Sequence, residues 1–258
     1  MNLKKIIQHP TLPVTLTFDR KWHTYIDDEG TKYDSVSKRV KNQFPVFDAR
    51  ATAARIAARE NRTVSDILAE WKAKGAAAST HGDLVHAYAE SVLTMTPVPD
   101  IPPELPPKSR QDALCAFRMV DAAVGMLRAS YAFLGVEQVV FDPLYAVAGS
   151  ADMVARNKST GALAIFDWKT CENITNDDYG QVALPPIAHI RNSKVSHYAL
   201  QLSFFAWMLT DLDYSAYPSR GEPVELALIH LPHVGKDPVW RPVPYLGKEV
   251  SAICKANL

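Results

Sequence analysis

The sequence predicts a mixed protein of the α/β (α+β) class, because helix and strand patterns alternate along it. Residues 147–168 contain two apolar strand patterns separated by turn residues. An apolar helix pattern over residues 195–212 follows and leads to a further strand pattern over residues 225–231. Residues 110–134, in front of the hairpin, have the apolar spacing of a long amphipathic helix. These patterns predict strands that pack against helices around one core.

The composition is that of an ordinary globular chain, with 258 residues, 47% hydrophobic and 22% charged. Basic and acidic residues balance at 28 each, so a polyanionic partner needs a local basic surface. Cys115, Cys171 and Cys254 have no paired spacing, which argues against a disulfide framework, a zinc ribbon or a four-cysteine iron–sulfur site. No apolar run suits a membrane span or a signal peptide, and we therefore expect a cytoplasmic protein without membrane contact.

The N-terminal residues predict a hairpin followed by a short helix. Residues 14–33 alternate in the manner of strands around the turn sequence of residues 27–30. Ser35 is a typical N-cap for a helix over residues 36–40. The pattern leaves open whether this hairpin covers a cleft or the edge of a sheet.

Helices are predicted between this hairpin and a proline-rich segment. Residues 51–74 predict two helices divided near residues 61–63, with Thr63 or Ser65 as the cap of the second, and residues 80–92 predict a further helix. A solvated helix face is the default interpretation of the cations in the first segment, and a surface that follows a phosphate backbone is the alternative. These cations are Arg50, Arg55, Arg59, Arg62, Lys72 and Lys74.

The middle of the chain predicts a loop, a helix and a strand. The prolines of residues 97–107 exclude a helix or an inner strand and predict a surface loop. The amphipathic helix over residues 110–134 follows and is expected to pack on the core. Residues 137–145 then predict the strand that leads into the hairpin. Glu137 is either a distal acid of the site or an ordinary residue at the start of that strand, and the second interpretation is favoured.

The segment after the hairpin is polar and irregular over residues 171–193. It contains Arg191, and Lys194 lies just beyond it; both cations can contact a phosphate backbone. A short helix over residues 248–256 closes the chain.

The hairpin carries two carboxylates and a lysine near one end. Pairing about its turn brings Asp152 opposite the neighbourhood of Asp167. Two carboxylates at this separation repel each other unless a cation lies between them, and a hard divalent cation is the usual one. Because side chains alternate along a strand, Asp167 and Lys169 share a face. This trio suits metal-dependent phosphodiester hydrolysis, and a solvated surface ion pair is the alternative.

Two helical segments carry polar groups that fit the same site. His86 and Glu90 are four residues apart and share a helix face. They provide either a metal-binding imidazole with an acid beside it, or an ordinary hydrogen-bonded histidine and an exposed glutamate. In the apolar helix after the hairpin, Gln201 lies one turn beyond Tyr198 and needs a polar partner. That partner is either a neighbouring backbone group or an active-site water or phosphate.

Four motifs occur in a characteristic order along the chain: Gly82-x-x-x-His86-x-x-x-Glu90, Gly149-x-x-Asp152, Asp167-Trp168-Lys169 and Tyr198-x-x-Gln201. This ordered set resembles the PD-(D/E)XK nuclease superfamily, and more narrowly its RecB-type and phage-type exonuclease branch. The resemblance runs from about Tyr33 to the last strand. Ala151 stands where the superfamily's name has proline, which is common in this branch.

The resemblance implies a restriction-endonuclease-like core, with a central mixed sheet flanked by helices. We expect one nuclease domain over residues 1–258. It would comprise an N-terminal hairpin extension over residues 1–34, a helical region over residues 35–136 and a catalytic sheet core over residues 137–258.

The resemblance also implies a set of roles around a Mg²⁺ or Mn²⁺ ion. Asp152 and Asp167 would bind the ion together with the backbone carbonyl of Trp168, and Lys169 would orient the attacking water. His86 would be an additional metal ligand. An iron–sulfur cluster is not expected, since the four cysteines of cluster-bearing members are missing.

The remaining implied roles concern the substrate. Glu90 would be an acid that supports the metal site, and Tyr198 and Gln201 would contact the substrate phosphate. Arg191 and Lys194 are the further candidates for phosphate contact.

The expected activity is that of a Mg²⁺-dependent DNA exonuclease that acts on duplex ends or single strands in phage-type recombination, replication or repair. A structure-specific endonuclease with the same site is one alternative, and a catalytically silent DNA-binding or assembly module is another. DNA is the expected partner, with a single-strand annealing or binding protein as a second one. The sequence does not specify polarity, strand preference, processivity or oligomeric state, although a ring-shaped oligomer is compatible with it.

Overall fold

The structure is a computed structural model that describes residues 4–175, 177–178, 180–211, 223–232 and 237–256. The strands are β1 (Lys4–Gln8), β2 (Thr15–Asp19), β3 (Thr24–Asp27), β4 (Lys32–Ser35), β5 (Tyr131–Asp142), β6 (Val147–Asn157), β7 (Leu163–Lys169), β8 (Val224–His230) and β9 (Val239–Pro242). The helices are α1 (Val36–Lys41), α2 (Ala49–Glu60), α3 (Val64–Thr94), α4 (Pro107–Ser130), α5 (Lys194–Asp211) and α6 (Gly247–Lys255).

The described strands form one mixed nine-stranded sheet flanked by helices, as the predicted α+β class requires. The order across the sheet is β1-β2-β3-β4-β6-β7-β8-β9, and β5 pairs with β6 outside this path. Strands β5, β6 and β7 are antiparallel neighbours, whereas β4 is parallel to β6 and β8 is parallel to β7. Among the described residues, no helix combines the length and the hydropathy that crossing a bilayer requires.

The N-terminal strands form a meander rather than the single hairpin predicted for residues 14–33. Strands β1 to β4 pair antiparallel in sequence, with a second turn at residues 20–23. Asp19 stabilises that turn by accepting hydrogen bonds from the backbone N–H groups of Lys21 and Trp22. The prediction recognised only the more obvious turn sequence at residues 27–30.

The helices before the proline-rich loop agree with the prediction at their starts and differ in their length. Ser35 caps α1, and Thr63 caps α3 by accepting a hydrogen bond from the backbone N–H of Asp66. The predicted division near residues 61–63 is confirmed, because Asn61 adopts the left-handed conformation that ends α2. Separate helices over residues 51–74 and 80–92 were wrong, since α3 is continuous for 31 residues. Alanines around Gly75 maintain the helix there.

The boundary between α4 and β5 also differs from the prediction. The helix predicted over residues 110–134 ends at Ser130, and the strand begins at once with Tyr131. The spacing of Tyr131 and Leu134 suited a helix, but pairing with β6 along its whole length prevails over local pattern. The predicted loop is confirmed over residues 95–106, and Pro107 begins the helix.

Two layers of helices enclose the sheet. Helices α3 and α4 cover one face, and helices α1, α5 and α6 cover the other. Met153 and Phe166 pack with the first layer, whereas Val154 and Ile165, their chain neighbours, pack with the second. Each such fully buried side chain stabilises the fold by about 1.5–3 kcal/mol relative to an exposed one.

Strand β6 changes its partner on one edge, and this positions the candidate site. Its first residues, Val147 and Ala148, pair with β4, and its last residues from Met153 onward pair with β7. Residues 149–152 lie between the two and have no ladder partner on that edge among the described strands. The sheet therefore forks at Asp152.

Gly149 at this fork permits the close approach of α5 and α1. A Cβ atom at this position would lie 2.7 Å from Phe205 Cε1 and 3.0 Å from Val36 Cγ2, and both side chains are fully buried. We expect Gly149→Ala to lower the free energy of unfolding by about 1–3 kcal/mol through overpacking, as measured by urea denaturation. Gly125→Ala is the control, because nothing lies within 4 Å of its Cβ position. That variant should gain about 0.5–1 kcal/mol, and equal effects would contradict the packing role of Gly149.

Candidate functional site

Three metal-ligating side chains converge at the fork from three elements. His86 comes from α3, Glu137 from β5 and Asp152 from β6, and one ligand atom of each lies within 4.8 Å of the others. His86 Nδ1 is 3.3 Å from Asp152 Oδ2 and 3.9 Å from Glu137 Oε1. The site thus combines one imidazole with two carboxylates.

Of the two interpretations of Glu137, the sequence favoured an ordinary strand-start residue, whereas the structure places its carboxylate in the donor group, next to His86 and Asp152. It lies in the middle of β5 with a φ of 45°, and Ser150 Oγ donates a hydrogen bond of 2.9 Å to its Oε2. The neighbouring residues pair regularly across the ladder with β6, but Glu137 and Asp152 do not. Counting back from the turn between the two strands would have placed Glu137 opposite Asp152, so the spacing contained the signal.

The alternation of side chains in β6 reverses at Asp152. Ala151 and Val154 both pack in the cluster that contains α5, although residues three apart in a regular strand face opposite sides. Met153 packs on the other face. The backbone therefore twists at the acid, and Asp152 Oδ2 accepts a hydrogen bond of 2.9 Å from the backbone N–H of Trp168.

His86 lies between the acids and the carbonyl of Trp168. Its Nε2 is 3.2 Å from the Trp168 oxygen. A carbonyl oxygen can only accept a hydrogen bond, so Nε2 is the donor, while Nδ1 faces Asp152 and Glu137. Burial disfavours the charged ring, but the nearby carboxylates, chiefly Asp152, raise the pKa of His86 well above its ordinary value. The position of the ring between these carboxylates therefore favours its protonated form.

Asp167 and Lys169 share one strand face, as predicted, and form a buried ion pair between Asp167 Oδ2 and Lys169 Nζ. The Lys169 ammonium also lies over the ring of Tyr198, 4.6 Å from its centroid. Asp167 is not one of the three mutually close donors, and its carboxylate pairs with Lys169.

The charges of this group shift one another. Burial raises the pKa of Asp167 to about 6 against the opposing charge of Lys169, and Asp152 adds to the rise. Burial would also raise the pKa of Asp152, but His86 and Lys169 hold it below its usual value. Burial lowers the pKa of Lys169, yet the two aspartates raise it above its ordinary value. Lys169 is therefore a cation and a hydrogen-bond donor.

The other predicted site residues lie around this cluster. Glu90 is not in the donor group; its Oε2 pairs with Arg20 Nη2 at 2.6 Å. The Tyr198 hydroxyl lies 3.8 Å from Cys171 Sγ, and half-buried Gln201 follows one turn later on α5. In the described part of the chain, the Gln201 amide has no hydrogen-bond partner. Gly82 lies next to the residue that follows β7, with its Cβ position 3.5 Å from Thr170 Oγ1.

The predicted phosphate-binding cations have contacts of their own. Arg191 Nε is 3.5 Å from Asp178 Oδ2, and Lys194 Nζ donates a hydrogen bond of 2.9 Å to the backbone oxygen of Asn173. Lys194 thereby links the irregular segment after β7 to the start of α5, whereas the contact of Arg191 lies within that segment. Among the cations of residues 50–74, Arg62 and Lys74 both pair with Glu70. This acid therefore neutralises part of their positive charge.

The donor set suits a hard or borderline divalent cation. Carboxylate oxygens are the ligands that Mg²⁺ and Mn²⁺ prefer, whereas an imidazole is more typical of zinc, iron, copper and nickel sites. His86, Glu137 and Asp152 supply two carboxylates and one imidazole within a compact volume, and the Trp168 carbonyl lies on the other side of the imidazole. The residues present therefore fit the cation that the sequence motifs imply.

In comparisons with known proteins, no family model matches the sequence and no curated protein is a significant match. The assignment of a family and of an activity consequently depends on the motifs and on the geometry of the site.

Proposed function

We propose that this protein is a metal-dependent DNA exonuclease with a PD-(D/E)XK core. The observation that carries the proposal is the convergence of His86, Glu137 and Asp152 within 4.8 Å beside a buried Asp167–Lys169 pair. A structural ion pair alone would not gather a histidine and a second acid from two further elements. Clustered ionisable groups with strongly shifted pKa values are typical of functional sites.

The order of the elements supports the same core. Helix α4 precedes the antiparallel strands β5, β6 and β7, helix α5 follows, and β8 then pairs parallel to β7. This is the α-β-β-β-α-β order that the motifs imply. The two acids and the lysine lie on β6 and β7, where the proposed core requires them.

The side chains of His86, Glu137 and Asp152 would hold the ion, and the Trp168 carbonyl, which the motifs imply as a ligand, instead accepts the hydrogen bond of His86 Nε2. Asp167 is the fourth candidate, adjacent to these side chains through its interaction with Asp152. A bound Mg²⁺ or Mn²⁺ ion would supply Lewis-acid stabilisation of the charge that develops on the phosphate. The hydrogen bond from Trp168 N–H to Asp152 orients one carboxylate oxygen in advance, which lowers the cost of assembling the site.

Lys169 would act directly on the reacting groups. Its ammonium has three donors and no acceptor, so it can orient an attacking water and stabilise negative charge on the phosphate. Asp167 and the ring of Tyr198 fix its position from two sides. Gln201, one turn beyond Tyr198 on α5, would donate a hydrogen bond to a phosphate oxygen.

The activity is tested with end-labelled linear DNA and covalently closed circular DNA of the same sequence, incubated with Mg²⁺ and, as the control, with EDTA. We expect only the linear substrate to be degraded. Nicking of the circle would instead establish an endonuclease. Absence of cleavage together with DNA binding would establish a silent binding module and would overturn the proposal.

Metal affinity should depend on pH, because the ligands must lose protons to bind the ion. The pKa of His86 is raised and that of Asp167 is raised to about 6, so protons compete with the metal below these values. Affinity for Mn²⁺ should therefore rise by about tenfold per pH unit for each proton released, and level off above the His86 pKa. Calorimetry in buffers of different ionisation enthalpy measures this release. His86→Gln should make the dependence shallower; a wild-type affinity independent of pH would contradict the ligand assignment.

A further inference from the structure

The turn of residues 20–23, between β2 and β3, is stabilised by hydrogen bonds and carries an exposed aromatic side chain. Asp19 Oδ1 accepts hydrogen bonds from the backbone N–H groups of Lys21, at 3.0 Å, and Trp22, at 3.1 Å. Trp22 is nevertheless 70% exposed. A tryptophan held in a defined position without burial gains little for the stability of the fold.

A cluster of three rings packs together at this turn, those of Phe18, His23 and Tyr25. The rings of Phe18 and Tyr25 stack with their centroids 4.6 Å apart. His23 packs edge-on against both, at 5.6 Å and 5.5 Å. These ring contacts stabilise the turn, and Trp22 takes no part in them.

Arg20 forms an ion pair that links the turn to α3, the helix that carries His86 of the candidate metal site. Its Nη2 pairs with Glu90 Oε2 at 2.6 Å, and Glu90 lies one helical turn beyond His86 on α3. Arg20 also interacts electrostatically with Glu137 of the donor group, so the turn that carries Trp22 two residues later borders the same site. A single exposed aromatic residue is common on protein surfaces, but its position beside a candidate active site is not explained by folding.

The charges of the turn suit a nucleic acid. Lys21 Nζ lies over the Trp22 ring, 4.9 Å from its centroid. An aromatic face next to a cation is the combination by which proteins hold single strands, since bases stack on the ring and the cation contacts phosphate. In a duplex the base faces are already stacked on one another, so this combination favours an unpaired strand.

We propose that residues 20–23 bind a single strand of the DNA substrate beside the metal centre, with a base stacked on Trp22 and a phosphate contacted by Lys21. Arg20 is a positioning residue that fixes the turn through Glu90. This inference rests on the proposed nuclease function and adds to it how the strand is held at the entrance of the site.

The test is equilibrium binding of fluorescently labelled oligothymidylate, measured by anisotropy in EDTA so that the strand stays intact. Trp22→Ala should weaken binding by about 5- to 100-fold, the range expected for one stacked base. Trp22→Phe should stay close to the wild type because it keeps a ring. Trp240→Ala, which removes a 42% exposed tryptophan on β9 at the far edge of the sheet, is the matched control and should bind normally.

An abasic strand of equal length separates stacking from charge. Wild type and Trp22→Ala should bind it equally, because no base is left to stack. Unchanged affinity of Trp22→Ala for oligothymidylate, or an equal loss on the abasic strand, would overturn the inference. If the wild type cleaves linear DNA while Trp22→Ala binds normally, the inference fails and the nuclease function stands; if the wild type neither binds nor cleaves DNA, both fail.

Discussion

Asp152→Asn should lower the rate of Mg²⁺-dependent DNA cleavage by at least about 10³-fold, the effect of losing several kcal/mol of metal-assisted stabilisation. Asp152 connects two strands and a helix at the site, since on β6 it faces His86 of α3 and accepts a hydrogen bond from Trp168 N–H of β7. Asparagine keeps the shape and removes the charge that a cation requires. The loss should appear both in cleavage of end-labelled DNA and in calorimetric Mn²⁺ binding.

Glu104→Gln is the matched control for this change. Glu104 is an exposed acid in the proline-rich loop, far in sequence from the cluster. Its neutralisation should leave cleavage and metal binding within about twofold of wild type. If Asp152→Asn remains folded by circular dichroism and cleaves DNA at the wild-type rate, the metal site has been assigned to the wrong residues.

Lys169→Met should reduce cleavage by about 10²- to 10³-fold while the protein still binds Mn²⁺, because it removes a donor that acts on the reacting groups rather than a metal ligand. Methionine preserves most of the aliphatic volume. The buried Asp167 loses its counter-ion, and its pKa should rise further from about 6. Metal binding should therefore weaken near pH 6 and recover at higher pH, whereas cleavage should not recover.

Lys255→Met provides the control, since Lys255 is exposed at the end of α6. We expect it to change neither cleavage nor the pH dependence of binding. Recovery of full activity in Lys169→Met at high pH would show that the lysine only protects the charge of Asp167 and takes no part in the reaction.

The hairpin at the site could be predicted from the sequence because its signals are local. The turn before Gly161, which has a φ of 74°, sets the register of β6 and β7. The ladder ends at the pair of Met153 with Phe166, and extending its register by one residue brings Asp152 next to Asp167. The shared face of Asp167 and Lys169 follows from alternation alone, and their ion pair agrees with it.

Other parts of the site depend on tertiary contacts that no local pattern records. The reversal of alternation at Asp152 arises where β6 leaves β4 and meets β7, strands distant in the sequence. Glu90 shares a helix face with His86, but the N-terminal meander brings Arg20 to it. The sequence did not predict the turn at residues 20–23, because the Asp19 carboxylate stabilises it through hydrogen bonds to backbone N–H groups and the turn contains no glycine.

The continuity of α3 has a mechanical consequence. One end of this helix packs on α2 in a small cluster around Ile67, and the other carries His86. Residues 72–80 between them are exposed throughout. This stretch fixes the distance between the two ends of α3. Removing seven residues from it would shorten the helix by about 10 Å and would rotate one end relative to the other by only about 20°. The distance between α2 and the candidate site is thus set by the number of residues in this exposed part of α3. It can change without any change in the residues of the site.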